Sequence, residues 1–310
     1  MQDPIQNRIE STPRPTLTAA SALVCLAVAG LWLTTLAEAA LSTTSVALLN
    51  ALYYLPFVGL PLFICTRRVP GLSRSLRLNP PPMLSMLSVA LLALMSVYAA
   101  SALTAVWGMG LNALGLRAPG AYPAPQTERE LMLSILTLAA VPAVFEELLF
   151  RGFVLAAWES RGTALAVCLS AGLFALLHGN LYGLPAFFLV GASAGIVAWA
   201  LDSAYAAIAY HTIYNAACLV IPYLMRGQAN AEVAASGSML FSLVVETLML
   251  LGLMAVLLTS MLLRAHNRGV EPIPRIRRPL TTGERLTLAA AVLLMAASTV
   301  IVQVLAMANS

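Results

Sequence analysis

The sequence predicts an all-α polytopic membrane protein, a bundle of about nine spanning helices built around a four-helix core. Three observations carry that prediction. The 310 residues are 60% hydrophobic and only 10% charged, whereas a soluble domain is about 45–50% apolar and about 25% charged. Apolar runs close to the length that spans a bilayer recur along the chain. Lys is absent, so all 17 cationic residues are Arg, and these gather in alternate loops. No stretch is polar and long enough to form a separate soluble domain.

The apolar runs fall at about 17–37, 45–65, 83–106, 130–157, 163–179, 181–201, 204–224, 239–263 and 285–307. Thr127-x-x-Glu130 and Thr281-x-x-Glu284 are capping boxes that start the fourth and ninth helices. Pro80, Pro81 and Pro82 mark the entry to the third. The expected organisation is an N-terminal tail (1–16), a first group of three helices (17–129), a core of four (130–224), and two C-terminal helices joined by a basic loop (225–310).

Orientation follows from the arginines, because basic residues accumulate on the cytoplasmic side. Arg8, Arg14, Arg67, Arg68, Arg74, Arg77, Arg161, Arg264, Arg268, Arg275, Arg277, Arg278 and Arg285 fall in alternate loops, whereas the opposite loops hold only Arg117, Arg129 and Arg226. The N-terminus is therefore expected inside, and the composition fits a bacterial inner membrane. Ala37-Glu38-Ala39 is like a signal-peptidase site, but the run before it is longer than a signal's apolar region, so an uncleaved anchor is expected. The net charge of +4 sets topology and contacts anionic lipid headgroups; it does not indicate nucleic acid. Cys25, Cys65, Cys168 and Cys218 lie in apolar segments with no CxxC pair, which reads as buried free thiols.

Glu146, Glu147 and Arg151 interrupt the fourth run. Each ionised group inside a bilayer costs about 2.5–3.5 kcal/mol on insertion scales, so three in one helix need a reason. Glu146 lies 16 residues before Gly162 and His178 lies 16 after it. On antiparallel helices joined there, equal counts mean equal depth, so the two face each other. Phe174 and His178 share a helical face, as do His211 and Asn215, and Glu147 and Arg151 form an i,i+4 pair of the better polarity.

These residue types suffice for amide hydrolysis without a covalent nucleophile. A carboxylate in a low-dielectric site serves as general base near neutral pH, and an imidazole beside it holds the water or shuttles its proton. A second imidazole and a carboxamide donate to the oxyanion of a tetrahedral intermediate. A structural ion-pair network would use Glu146, Glu147 and Arg151 equally well. The two histidines and Asn215 at matching spacing favour the chemical reading.

Glu146-Glu147-x-x-x-Arg151, Phe174-x-x-x-His178 and His211-x-x-x-Asn215 resemble the three motifs of the CAAX protease and bacteriocin-processing (Abi) family, intramembrane glutamic proteases related to the type II CAAX prenyl endopeptidases. The resemblance covers about residues 130–224. It implies that Glu146 and His178 activate water, that His211 and Asn215 stabilise the oxyanion, that Glu147 and Arg151 support them, and that Phe174 lines the pocket. It implies no cofactor and no metal, and a membrane-associated peptide or prenylated protein as substrate, with the site below the surface and reached from the cytoplasmic side. A proton-coupled carrier would use the same acid and histidines, but no inverted repeat is visible. A zinc hydrolase would need a pattern such as His-Glu-x-x-His, which is missing. A non-catalytic scaffold or immunity protein of the same fold remains an alternative. Elsewhere, Glu246 reads as interfacial, Trp158, Glu159 and Arg161 as a turn at the membrane surface, and the run Gly191–Gly195 as a close helix-packing face.

Overall fold

A computed structural model describes residues 13–41, 46–68, 76–119, 124–226, 237–270 and 278–308. Among these there are nine helices and no strand. We number them α1 (Leu17–Leu41), α2 (46–68), α3 (Met83–Ala113), α4 (Glu128–Arg161), α5 (Thr163–Leu177), α6 (Leu184–Ala200), α7 (Ala204–Met225), α8 (Gly237–Asn267) and α9 (Thr282–Ala308). Each coincides with one apolar run of the sequence. Arg8, Arg74, Arg275 and Arg277 lie outside the described residues.

Seven of the nine are long and apolar enough to cross a membrane, so this is an integral membrane protein. The expectation of nine spans is thereby refined. α5 and α6 have only 15 and 17 residues, or about 22 and 26 Å at 1.5 Å per residue, against a hydrocarbon core about 30 Å thick.

The two capping boxes form. Thr127 Oγ1 accepts from the Glu130 amide at 3.2 Å, and the Glu130 carboxylate reaches back to the Gln126 amide at 2.8 Å. At α9, Thr281 and Glu284 exchange the reciprocal bonds at 3.3 and 2.8 Å.

α2 and α4 are not regular. Residues Leu55–Gly59 of α2, and Ile135–Ala140 and Leu148–Val154 of α4, are wound as π-helix, a local widening found often at functional sites. Two prolines bear on this, since Pro56 and Pro142 lack an amide donor. In α4 the Val141 amide bonds Leu136 O rather than Thr137 O. Asn50 of α2 donates its side-chain amide to that Thr137 carbonyl.

Packing forms two apolar clusters. One joins α1, α2, α4, α5 and α9; the other joins α3, α6, α7 and α8. The α5–α6 contact belongs to the small-residue run: a Cβ on Gly191 would stand 3.1 Å from both Ala171 Cα and the Phe174 ring. The cysteines are free, but Cys168 and Cys218 are exposed and Cys25 and Cys65 half-buried. Cys168 and Cys218 therefore face outward from the bundle, whereas Cys25 and Cys65 pack against the first cluster.

The end of α4 corrects another expectation. Trp158 and Glu159 are buried, not part of a surface turn. Glu159 accepts from Arg77 at 2.6 Å, Trp199 at 3.0 Å and Arg14 at 3.0 Å. Nearby, Arg161 donates to Arg278 O at 2.6 Å. Arginines from the segments before α1, α3 and α9 and from the α4–α5 turn thus meet at one end of the bundle.

Candidate active site

α4 carries the two carboxylates into the space between the clusters. Glu146 is 8% exposed, while Glu147 and Arg151 are 0% exposed. The i,i+4 spacing forms the predicted pair, with Arg151 Nη1 donating to Glu147 Oε1 at 2.6 Å. Arg151 Nη2 donates to the carbonyl of Gly191 at 2.7 Å, and its guanidinium lies 4.5 Å from the centre of the Phe174 ring. The small residue at 191 lets that helix come close enough for this bond.

Glu147 also holds His211. The Nδ1 of His211 lies 2.9 Å from Glu147 Oε1, which fixes the ring and turns Nε2 away from the carboxylate. His178 is fixed in the same manner by a different acceptor. Its Nδ1 lies 2.8 Å from the carbonyl of Phe174, one turn back. An Nδ1–H donated to a carbonyl leaves Nε2 of the neutral ring as a base.

Phe174 joins the two histidines. Its ring is 4.7 Å from His178, 5.5 Å from His211 and 5.5 Å from Phe150. Glu146, His211 and Arg151 are all close enough to act electrostatically on His178. Glu146 and His178, expected to face each other, share no direct hydrogen bond among the described residues: their partners are Tyr54 and the Phe174 carbonyl. The first seven residues of α7 and the length of α5 put the histidines about 10 to 22 Å along the helices from the arginine-bearing end.

Asn215 sits one turn beyond His211 and is half-buried. Its amide donates to Leu138 O at 3.4 Å, a long bond. Pro142 cannot supply that carbonyl with its usual i→i−4 donor. Asn215 thus touches the widened part of α4 rather than another motif side chain.

The structure adds two residues with no signal in the sequence. Phe187 of α6 stacks on His178 at 4.1 Å. Tyr54 of α2 is 5% exposed and donates its hydroxyl to Glu146 Oε1 at 2.6 Å. Neither stands at a fixed spacing from a motif, and only the packing of α2 and α6 brings them in.

The carboxylates differ in what remains open. Oε2 of Glu146 and Oε2 of Glu147 are buried and have no hydrogen-bond partner among the described residues. Beside Glu146, a cavity of about 310 Å³ opens between α2 and α4, lined by Asn50, Tyr54, Leu55, Leu136, Val141 and Phe145 among others. Its walls are almost wholly apolar, and Leu55 and Leu136 at its rim are exposed. Glu246 is remote from all this, on the rim of a separate cavity between α3 and α8. Among the described residues no group of three or more His, Cys, Asp or Glu side chains is arranged to hold a metal ion.

Residues 128–217 match the model of the type II CAAX prenyl endopeptidase Rce1-like family. No curated protein and no solved structure matches the chain. The Rce1-like segment begins at the first turn of α4 and ends two residues after Asn215, so it contains all three motifs. Tyr54 and the α2 wall of the cavity lie outside it.

Proposed function

We propose that the protein is an intramembrane, metal-independent glutamic endopeptidase that cleaves a membrane-associated peptide or prenylated protein with water activated by Glu146 and His178. One observation supports this reading: a buried carboxylate, Glu146, has one oxygen held by Tyr54 and keeps the other unpartnered. A water between Glu146 Oε2 and His178 Nε2 loses a proton to the carboxylate as its oxygen attacks the scissile carbonyl. His211, held through Nδ1 by Glu147, donates from Nε2 to the oxyanion when that nitrogen carries a proton, and the neighbouring carboxylate compensates its charge. Asn215 supplies a second donor on exchanging its long bond to Leu138 O. The proton on Glu146 then passes to the leaving amine.

The Rce1-like match supports a protease, and the apolar cavity beside Glu146 supports a substrate with a hydrocarbon part arriving sideways from the bilayer. Asn50 places that cavity toward the start of α2, away from the arginine-bearing end. Lateral entry therefore fits better than the cytoplasmic approach expected from sequence. The arginine-bearing end is assigned to the cytoplasmic face of a bacterial inner membrane.

The test is cleavage of an internally quenched farnesylated CAAX peptide by protein in lipid nanodiscs, with and without a strong chelator. The reading expects cleavage that survives chelation and is weaker on the peptide lacking farnesyl. Activity lost on chelation and restored by zinc would replace it with a metallohydrolase.

A further inference from the structure

We infer that Tyr54 is a positioning residue for Glu146: its hydroxyl holds Oε1, so that Oε2 is the oxygen turned to the reacting water. The inference rests on the reading of Glu146 as the base. It concerns a helix outside the Rce1-like segment, which alone would leave Glu146 unrestrained.

A glutamate on a helix has several rotatable bonds, and a general base must be held within a few tenths of an ångström of its working position. Glu147 is fixed by Arg151 and His211. Glu146 has no such cation; among the described residues Tyr54 is its hydrogen-bond partner, at 2.6 Å. Tyr54 is in turn held firmly. It is buried, its ring is stacked on Phe145 at 5.3 Å with an interplanar angle of 16°, and it meets Tyr53 at 4.6 Å. Tyr54 also lines the cavity between α2 and α4. Its ring thus separates that apolar space from the carboxylate while its hydroxyl reaches past it. The π-helical segment that follows directly, Leu55–Gly59, sets the course of α2 beyond this contact.

The experiment has two arms on the nanodisc-embedded full chain. Tyr54→Phe keeps the ring and removes only the hydroxyl. With the farnesylated CAAX peptide, kcat is expected to fall about 10-fold or more, the scale of a lost hydrogen bond to a charged group, with KM unchanged and a small fall in Tm from the buried oxygen left without its donor. On a Glu146→Gln background the same change is expected to leave the residual rate unaltered. In infrared difference spectra, the carboxyl band removed by Glu146→Gln is expected to shift in Tyr54→Phe. An unshifted band, or a kcat equal to wild type while Glu146→Gln is inactive, overturns the role of Tyr54 and spares the protease reading. Full activity in Glu146→Gln overturns both. If the wild-type protein cuts none of the peptide, the substrate reading falls and the band decides the Tyr54 contact.

Discussion

Two buried glutamates on α4, Glu146 and Glu159, differ in how fully their carboxylate oxygens are engaged. They lie on one helix, and both are nearly inaccessible, at 8% and 2% exposure. Glu159 has donors on both oxygens: Arg77 and Trp199 on Oε1, and Arg14 on Oε2. It joins the segment before α1, the approach to α3, and α6, and three of its about four acceptor sites are filled. Glu146 has one donor, a neutral phenol, and an oxygen with none. Burial alone therefore does not mark the chemical site. Unfilled hydrogen-bonding capacity at a carboxylate narrows the choice to Glu146 and Glu147, because desolvating such a group is costly unless something binds there, and Glu147 is already engaged by Arg151 and His211.

That contrast can be broken or sharpened by substitution. The largest effect is expected from Glu147→Ala, which removes the acceptor of both Arg151 and His211. A buried guanidinium left without its carboxylate costs about 3–5 kcal/mol, and freeing His211 should lower peptide cleavage by about 100-fold or more, the scale of one lost oxyanion donor. Thermal unfolding and kinetics on the same preparation read both losses. Glu159→Ala should cost about as much stability, again about 3–5 kcal/mol, yet the protein that remains folded should keep its kcat. Loss of turnover in that folded fraction would erase the distinction between the two glutamates.

Gly191→Ala should be milder. Its methyl would press on Ala171 and on the Phe174 ring at 3.1 Å, an overpacking that costs about 1–3 kcal/mol. Since Gly191 O also accepts from Arg151, a fall in kcat should accompany the lower Tm. The smallest change should come from Asp202→Asn. Asp202 is mostly exposed, pairs with Arg77 at 3.3 Å, and has φ +47°. Asn tolerates that left-handed backbone well, and although Arg77 is buried it keeps its bond to Glu159, so the loss should stay near the about 0–1 kcal/mol of a pair open to solvent. A drop in stability above that range would mean the ion network around Glu159 is more cooperative than its separate contacts suggest.

The helices were legible because their signal is local. Each apolar run became one helix, and Thr127 and Thr281 cap where the capping pattern placed them. The shortness of α5 and α6 was only partly legible: the runs at 163–179 and 181–201 break at His178, Gly179 and Asn180, but Leu181 and Tyr182 are apolar enough to join the next run although they lie in the turn. The Glu147–Arg151 pair and the shared faces of Phe174 with His178 and of His211 with Asn215 followed from the pitch of one helix. Contacts between helices were harder. The bond from Tyr54 to Glu146 and the stacking of Phe187 on His178 depend on how α2 and α6 lie against α4 and α5. Trp158-Glu159-Ser160-Arg161-Gly162 has the composition of a surface turn, and only the arginines arriving from other loops turn Glu159 into a buried hub.

The most direct measurement of the central claim sets Glu146→Gln beside wild type, with peptide cleavage and thermal unfolding recorded together. Gln keeps the size of the side chain and can still accept from Tyr54, but it cannot take a proton from water. The account predicts a rate lower by about 100- to 10,000-fold, the contribution of a positioned general base, with Tm unchanged or raised. Cleavage at the wild-type rate by a folded Glu146→Gln protein would contradict it.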